Sequence, residues 1–589
     1  MLRITTLGIS MFFLLECCAV GVLILGALFL PGFPSGWFKA AENQLSRLAR
    51  RRVLAVIAVG VLALAIRAAL LPIAPVPQAG FHDEFGYLLL GDTFAHGRVT
   101  NPTHPMWIHF ESFYIIQQPT YTAMFYPGQG LVLALGQVIG GHPFVGVWLS
   151  IGAMCAAICW MLQAWVPPAW ALLGGVLAII RLGSFSYWAN SYQVGALPAL
   201  GGALVLGSLP RIKRRRRVRD ALVMGAGVAI LVNTRPYESL FFCLPVSVAI
   251  FAWLQRAKGS QLRESLLHVL LPLGLLLAAT AGSMAYYFWR TTGSPFRTPY
   301  MVDAQTYRVV PYFPWQPLNL EHTYHHRVFE QFFLHEWQMD SYRQARLSPF
   351  AASAGKISDF YRFFLGPALA LPLLVVFVLN PSKFLQRAVT GKTGCLVEVC
   401  GATFIGLSLP IYFNPHYAAP LTSAIYALVL QSMRYLRLWR WRGKGVGLRL
   451  VRAIPLTCVL LFMLRAAAPR LHIPTPVEWK YTWESEHFQN LDRARALAKL
   501  RSLEGDHLVI VRYNQHHAAA NEWVYNRADI DSAKVVWAHD MGERENAELI
   551  RYFPRRHVWF AEPDLAPPRI SPYVVPLDPC APASSRGKP

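Results

Sequence analysis

Charge is scarce in this chain. Only 15% of its 589 residues are charged, against 54% that are hydrophobic, and the mean hydropathy is +0.33. A soluble protein of this length needs more charge to cover its surface, so a large soluble enzyme is excluded. Cysteine carries no pattern. Eight of the nine, Cys17, Cys18, Cys155, Cys159, Cys243, Cys395, Cys400 and Cys458, lie within or beside apolar runs, and Cys580 stands alone in the tail. That spacing excludes a disulfide framework and a zinc site. The sequence has no internal repeat, and its longer polar stretches lack the Gly/Ser repeats of a linker. It also has no nucleotide-binding loop.

Long apolar runs dominate instead. Residues 8–31 contain one ionisable group, Glu16, and residues 53–74 contain one, Arg67. Each is long enough for a hydrocarbon core of about 30 Å, which takes roughly 20 helical residues. The pattern predicts about twelve helical spans: 8–31, 53–74, 144–163, 168–182, 194–210, 219–232, 238–254, 265–287, 361–379, 394–411, 419–432 and 453–468. Residues 130–140 form a further apolar piece, too short to span. The first run exceeds a typical signal segment and its flank, FPSGW, lacks a small-x-small cleavage site, so it reads as a retained anchor.

The formal charge of +23 raises nucleic acid as a partner, but its distribution points to a membrane. RIKRRRRVR (211–219) has seven basic residues in nine, and residues 434–452 hold seven more. RLARRR (47–52) and QRAKGSQLR (255–263) continue the pattern. Such loops stay on the cytoplasmic side, beside anionic headgroups. With 38–52 inside, every basic loop falls on one side, while 75–128, 288–360 and the C-terminal tail fall on the other. The expected organisation is an N-terminal anchor with a basic loop (1–52), a transmembrane domain (53–469) with outer loops 75–128 and 288–360, and a C-terminal domain (470–589). In that last part a helical stretch (491–503) and strand-like runs at 507–513, 534–540 and 557–563 imply a small α/β unit.

The first outer loop holds the densest chemistry. Asp83 and Glu84 sit side by side a few residues after a transmembrane helix. Adjacent carboxylates repel and meet a reduced dielectric there, so one pKa should rise. Such a carboxylate can act as general base or hold a divalent metal, Mg or Mn; the same DE pair is also an ordinary start to a helix. Asp92, His96, Arg98, His104, His109, Glu111, Gln117 and Gln118 follow among many aromatics, the composition of a sugar or headgroup site or of any aromatic membrane interface. NTRPYESL (233–240) places Arg235 and Glu238 near the outer boundary. RTTGSPFRTPY (290–300) supplies Arg290 and Arg297, and NPHYAAP (414–420) supplies His416 and Tyr417. Arg and His facing a carboxylate could hold a phosphate. HTYHHR (322–327) is His-dense without a regular metal-ligand spacing.

A helix, an outer loop opening on Asp-Glu, then a Pro-containing turn into apolar helix resembles the GT-C glycosyltransferases. These take sugar from a polyprenyl-phosphate carrier; the protein O-mannosyltransferases and lipid A aminoarabinose transferases are the relatives it suggests. HDEFGYLLLGDTFAHGR, YPGQGLVLALG, NTRPYE, TGSPFRTPY and PHYAAP are similar to an uncharacterised bacterial subfamily beside them. The resemblance covers roughly 75–420 and implies a polytopic GT-C-like fold of about 12–13 transmembrane helices with a small C-terminal α/β domain. It implies Asp83 as catalytic base or acceptor-orienting acid, Glu84 as its partner, and Arg235 near the donor phosphate. Tyr126 and Pro127 match a turn beside the donor site that is often Pro-Pro; the second Pro is here Gly128. The binding candidates are then Arg235, Arg290, Arg297, His416, Tyr417, Tyr126, Asp92 and His104. The expected partners are a polyprenyl-phosphate-sugar donor, membrane lipid and a glycan, lipid or protein acceptor, with no nucleic acid. The expected location is the bacterial inner membrane, with the site and tail periplasmic. A transporter or flippase of a lipid-linked substrate shares the hydropathy but favours internal repeats, and an assembly or sensor protein leaves residues 81–129 unexplained.

Overall fold

The computed structural model describes residues 10–29, 35–379, 381–382, 386, 393–475 and 482–573. Both ends of the 8–31 run, most of the basic loop at 380–393 and Cys580 lie outside the described residues.

Each of the twelve apolar runs forms a helix. Among the described residues seven helices are long and apolar enough to cross a membrane: Met11–Phe29, Arg52–Ala69, Phe144–Trp165, Pro236–Gln255, Ser260–Thr292, Pro349–Leu379 and Val446–Ala467. The chain is therefore a multi-pass membrane protein. The other five, Pro168–Arg181, Ala196–Arg215, Val218–Val232, Gly394–Ser408 and Thr422–Leu436, are shorter or end in charge and pack among them. The apolar piece at 130–140 belongs to a helix, Pro127–Gly140, that packs along a second outer-loop helix, His82–Ala95. A basic amphipathic helix, Ser35–Arg50, occupies a stretch expected as loop.

The basic loops meet at one end of the bundle. Arg216 Nε donates to Ser265 Oγ at 3.1 Å, Arg214 reaches the Ala164 carbonyl at 3.1 Å, and Arg452 forks onto Glu42 at 2.8 and 2.9 Å. Segments 75–128 and 288–360 pack with the C-terminal unit at the other end. Ser10, at the start of the first helix, joins them there by donating to Glu484 Oε1 at 2.6 Å.

The C-terminal unit is a four-stranded sheet in the order β4-β3-β5-β6; β1 (Ile115–Ile116) and β2 (Thr122–Ala123) form a small hairpin in the first outer loop. β3 (His507–Val511) pairs in parallel with β4 (Val535–His539) and β5 (His557–Glu562), and β6 (Arg569–Pro572) adds antiparallel to β5. The three predicted strands are thus present. β6 was not anticipated, because RISP has no apolar run and forms an edge. Every residue of β3 and β4 is buried, as a parallel sheet covered on both faces requires. One face, through Val509, Val511 and Trp537, packs on Leu500 and Trp523 of its own unit. The other packs Leu508, Val536 and Ala538 against Phe85, Leu89 and Phe110 of the first outer loop. Loop and domain therefore share a core.

The segment before that unit is wedged into the membrane part. Trp483, Glu484 and His487 are buried. Arg181, ion-paired to Glu16 at 3.0 Å, lies over the Trp483 ring at 4.8 Å, and Arg465 donates to the Glu484 carbonyl at 2.7 Å.

Candidate functional site

A cavity of about 1290 Å³ opens where the outer loops meet the membrane helices. Asp83, in the first turn of helix His82–Ala95, lines it together with Tyr126, Arg235, Tyr300, Arg308 and Tyr417. Its far wall is the start of the spanning helix Pro349–Leu379, through Ala351, Ala352, Gly355 and Lys356. The space suits a ligand larger than most single-pocket ligands, with a polar head and an apolar tail.

Asp83 is half-buried, and among the described residues no other residue donates a hydrogen bond to its carboxylate. Burial pushes its pKa up to about 6, while Arg235 and Arg308 pull against that rise and Glu84 adds a little to it. Its neighbour His82 donates to the Ala519 carbonyl at 2.7 Å, stacks on Phe113, and is pushed down to about 4 by burial. His82 is thus neutral at physiological pH.

Two arginines face this carboxylate. Arg235 caps helix Pro236–Gln255, lies 3.9 Å from the Tyr417 ring centroid, and pairs with Glu238 at 3.7 Å. Its buried Nε has no hydrogen-bond partner among the described residues. Arg308, which the sequence reading missed, donates to Asp303 at 2.7 Å and lies 5.3 Å from the Tyr300 ring centroid. It sits in RVVPYF, where nothing in the local pattern sets it apart from other loop arginines. Tyr126 stacks on Tyr300 at 5.6 Å. Lys356, also missed, donates to the carbonyls of Leu407, Ser408 and Pro410, fixing the end of a neighbouring helix.

Of the ten residues singled out from the sequence, Asp83, Arg235, Tyr126 and Tyr417 share this cavity; the others are used elsewhere. Glu84 is fully buried and turned away. Its Oε2 accepts from the Gly80 N–H at 2.9 Å, the Phe81 N–H at 3.2 Å and His487 Nε2 at 3.1 Å, and its Oε1 accepts from the Tyr192 N–H at 2.8 Å. His416 is buried against Tyr187, whose hydroxyl meets its Nδ1 at 2.8 Å. Asp92 accepts from the Ala528 N–H at 3.0 Å and His104 pairs with Asp531 at 3.1 Å, so both hold the C-terminal unit. Arg290 is exposed beside Tyr286, and Arg297 bonds Gln305 at 2.6 Å. Glu111 joins the two outer loops, accepting from Tyr307 and His325 at 2.8 Å each. Much of the polar density in residues 81–129 therefore serves packing between outer elements.

The Asp83–Glu84 pair does not fit a divalent ion. Both Glu84 oxygens are taken by N–H donors, so the two carboxylates do not converge. Among the described residues no group of three or more His, Cys, Asp or Glu side chains forms a metal cradle.

Gly128 explains the departure from a Pro-Pro turn. Its N–H donates to the Asn233 carbonyl at 2.9 Å, and a Cβ there would meet that oxygen at 2.7 Å and Thr234 Cγ2 at 2.8 Å. Proline would remove the donor as well as clash. The contact seats the turn that carries Arg235.

No protein-family model and no curated protein sequence matches the chain. Solved structures do show similarity. The Archaeoglobus fulgidus oligosaccharyltransferase in complex with Zn and sulfate is 13% identical, with a TM-score of 0.48 over 86% of this chain and 67% of that one. Its apo form is 12% identical, with a TM-score of 0.42 over 78% of this chain, which spans 62% of that enzyme's length. ArnT from Cupriavidus metallidurans in the apo state is 12% identical, with a TM-score of 0.44 over 85% of this chain and 92% of that one.

Proposed function

We propose that the protein is a membrane glycosyltransferase that moves a sugar from a polyprenyl-phosphate donor to an acceptor hydroxyl. The observation that carries this reading is Asp83: a half-buried carboxylate with a raised pKa, facing Arg235 and Arg308 in a cavity walled by a spanning helix. A lipid-linked donor enters from the bilayer side, along the small residues Ala351, Ala352 and Gly355 of that wall. Its phosphate meets Arg235 and Arg308, which both line the cavity. Its sugar lies against the faces of Tyr126, Tyr300 and Tyr417.

Asp83 takes the proton of the acceptor hydroxyl. The oxygen attacks the anomeric carbon as the bond from that carbon to the lipid phosphate breaks, and the phosphate departs as an anion held by the arginines. One displacement with one base inverts the anomeric centre. Positioning and charge stabilisation supply most of the rate. Glu84 acts from behind, by fixing the turn that carries Asp83. The motif resemblance over residues 75–420 supports the same reading, and the basic loops at the opposite end of the bundle support a periplasmic site.

The test is turnover by purified protein in lipid bilayers, with a panel of radiolabelled polyprenyl-phosphate sugars. Label leaving the carrier with wild type and not with Asp83→Asn is the expected result. No turnover of any donor by folded protein, across a range of acceptor extracts, would favour transport instead.

A further inference from the structure

A second cavity, of about 220 Å³, lies between the C-terminal sheet and the second outer loop, apart from the site described above. Its floor is the carboxyl edge of the parallel strands: Val511 to Asn514 after β3, and His539 to Met541 after β4. In open parallel sheets this edge, at the point where the connections reverse direction, is where ligands are bound. The reversal itself falls between β3 and β5, and the cavity lies beside it, over the ends of β3 and β4.

Its roof is the start of helix Arg327–His335, whose Arg327 and Val328 line the cavity. The first N–H groups of a helix have no intrahelical partner and favour an anion. Arg327 itself is exposed, and no ion pair engages it among the described residues. Across from it Arg512 is tied through Nε to Asp540, leaving its terminal nitrogens available. His517 supplies an independent sign of a ligand. It lines the cavity and is 1% exposed, and its Nδ1 is fixed by Asp564 at 2.7 Å while its buried Nε2 has no hydrogen-bond partner among the described residues. The ring of Tyr513 stacks on it at 3.8 Å. Asn514, Gln331 and Asp540 add amide and carboxylate groups suited to hydroxyls.

We propose that this cavity binds a single acidic sugar unit, its carboxylate or phosphate held by Arg327, Arg512 and the helix start, and its hydroxyls by Asn514, Gln331 and Asp540. The volume suits one ring. Because one wall belongs to the sheet and the other to the second outer loop, an occupant bridges the soluble unit to the loop that carries Arg308. The inference does not depend on the transferase reading.

The test is calorimetric titration of the full-length protein in lipid nanodiscs with glucuronate and with glucose 1-phosphate, using glucose as neutral control. Saturable binding of either anion is expected, with glucose silent. Glucuronate alone points to a carboxylate ligand and glucose 1-phosphate alone to a phosphorylated one. Arg327→Gln, an exposed position, should weaken binding at least about tenfold, as expected for loss of a charge-assisted bond, and Arg512→Gln likewise. Arg290→Gln, an exposed position that lines neither cavity, should leave it unchanged. Absence of saturable anion binding, equal binding of glucose, or binding lost in Arg235→Gln and retained in Arg327→Gln would overturn the assignment.

Discussion

His487 donates to Glu84 at 3.1 Å across 403 residues of chain, and both side chains are buried. Glu84 collects three backbone N–H groups besides, so the residue next to the proposed base is a four-way clamp. Gly80 makes the approach feasible, since a Cβ there would meet the Phe488 carbonyl oxygen at 2.3 Å. Breaking the clamp leaves a buried group unpaired. Glu84→Gln and His487→Ala should each cost about 2 kcal/mol, read as lowered thermal midpoints of the purified protein. His487→Gln keeps a donor and should recover part of the loss.

Asp83 is expected to set the pH dependence of transfer. A base with a pKa of about 6 must be deprotonated to work, so the rate should fall as pH drops through 6 and level off above it. Asp83→Asn should lower turnover by roughly 10²- to 10⁴-fold with the fold intact. Label-release rates from pH 4.5 to 8.5 would check both.

The same residue carries a stability cost at neutral pH. Its folded pKa is raised from 3.8 to about 6, so the folded protein holds the proton more tightly than the unfolded chain. This contribution favours folding at low pH and is lost as pH rises between those values. Asp83→Asn should therefore melt higher than wild type at pH 7.5, with the gain shrinking toward pH 4. A melting curve that is pH-independent in its difference from wild type would contradict the burial of this carboxylate.

Arg235 lowers the pKa of Asp83, so removing its charge should move the pH–rate midpoint upward. Arg235→Gln should do this while also raising KM for the donor. Arg235→Lys should keep the midpoint near 6 but lose the guanidinium contact with the Tyr417 ring. In contrast, Arg290→Gln and Arg297→Gln should stay within about twofold of wild type, as surface changes usually do.

Gly128→Ala is a test of local geometry. The added methyl would collide with the Asn233 carbonyl, shifting the turn that holds Arg235. Transfer should fall more than thermal stability does, and donor KM should rise.

The membrane architecture was legible because a bilayer demands long apolar helices and sorts basic loops to one side. The strands at 507–511, 535–539 and 557–562 were legible for a similar local reason, each being a short apolar run between turns. Asp83 and Arg235 could be singled out because ionisable residues at helix ends beside a membrane are few. Glu84 and His416 could not be assigned correctly, since their roles depend on His487, Tyr192 and Tyr187, which the sequence places far away. Arg308 was invisible for the converse reason: only the folded loop brings it beside Tyr300 and into the cavity.

The clamp on Glu84 also imposes an order in time. The loop bearing Asp83 leaves the ribosome early, yet the histidine that steadies it is made four hundred residues later. The face of the sheet that shares a core with Phe85 and Leu89 arrives later still. During synthesis the helices can enter the bilayer one after another while the proposed base remains unset. A chain halted before residue 487 would thus be inserted with the proposed base unset, so that a stretch translated some four hundred residues later acts as the release for the chemistry proposed at Asp83.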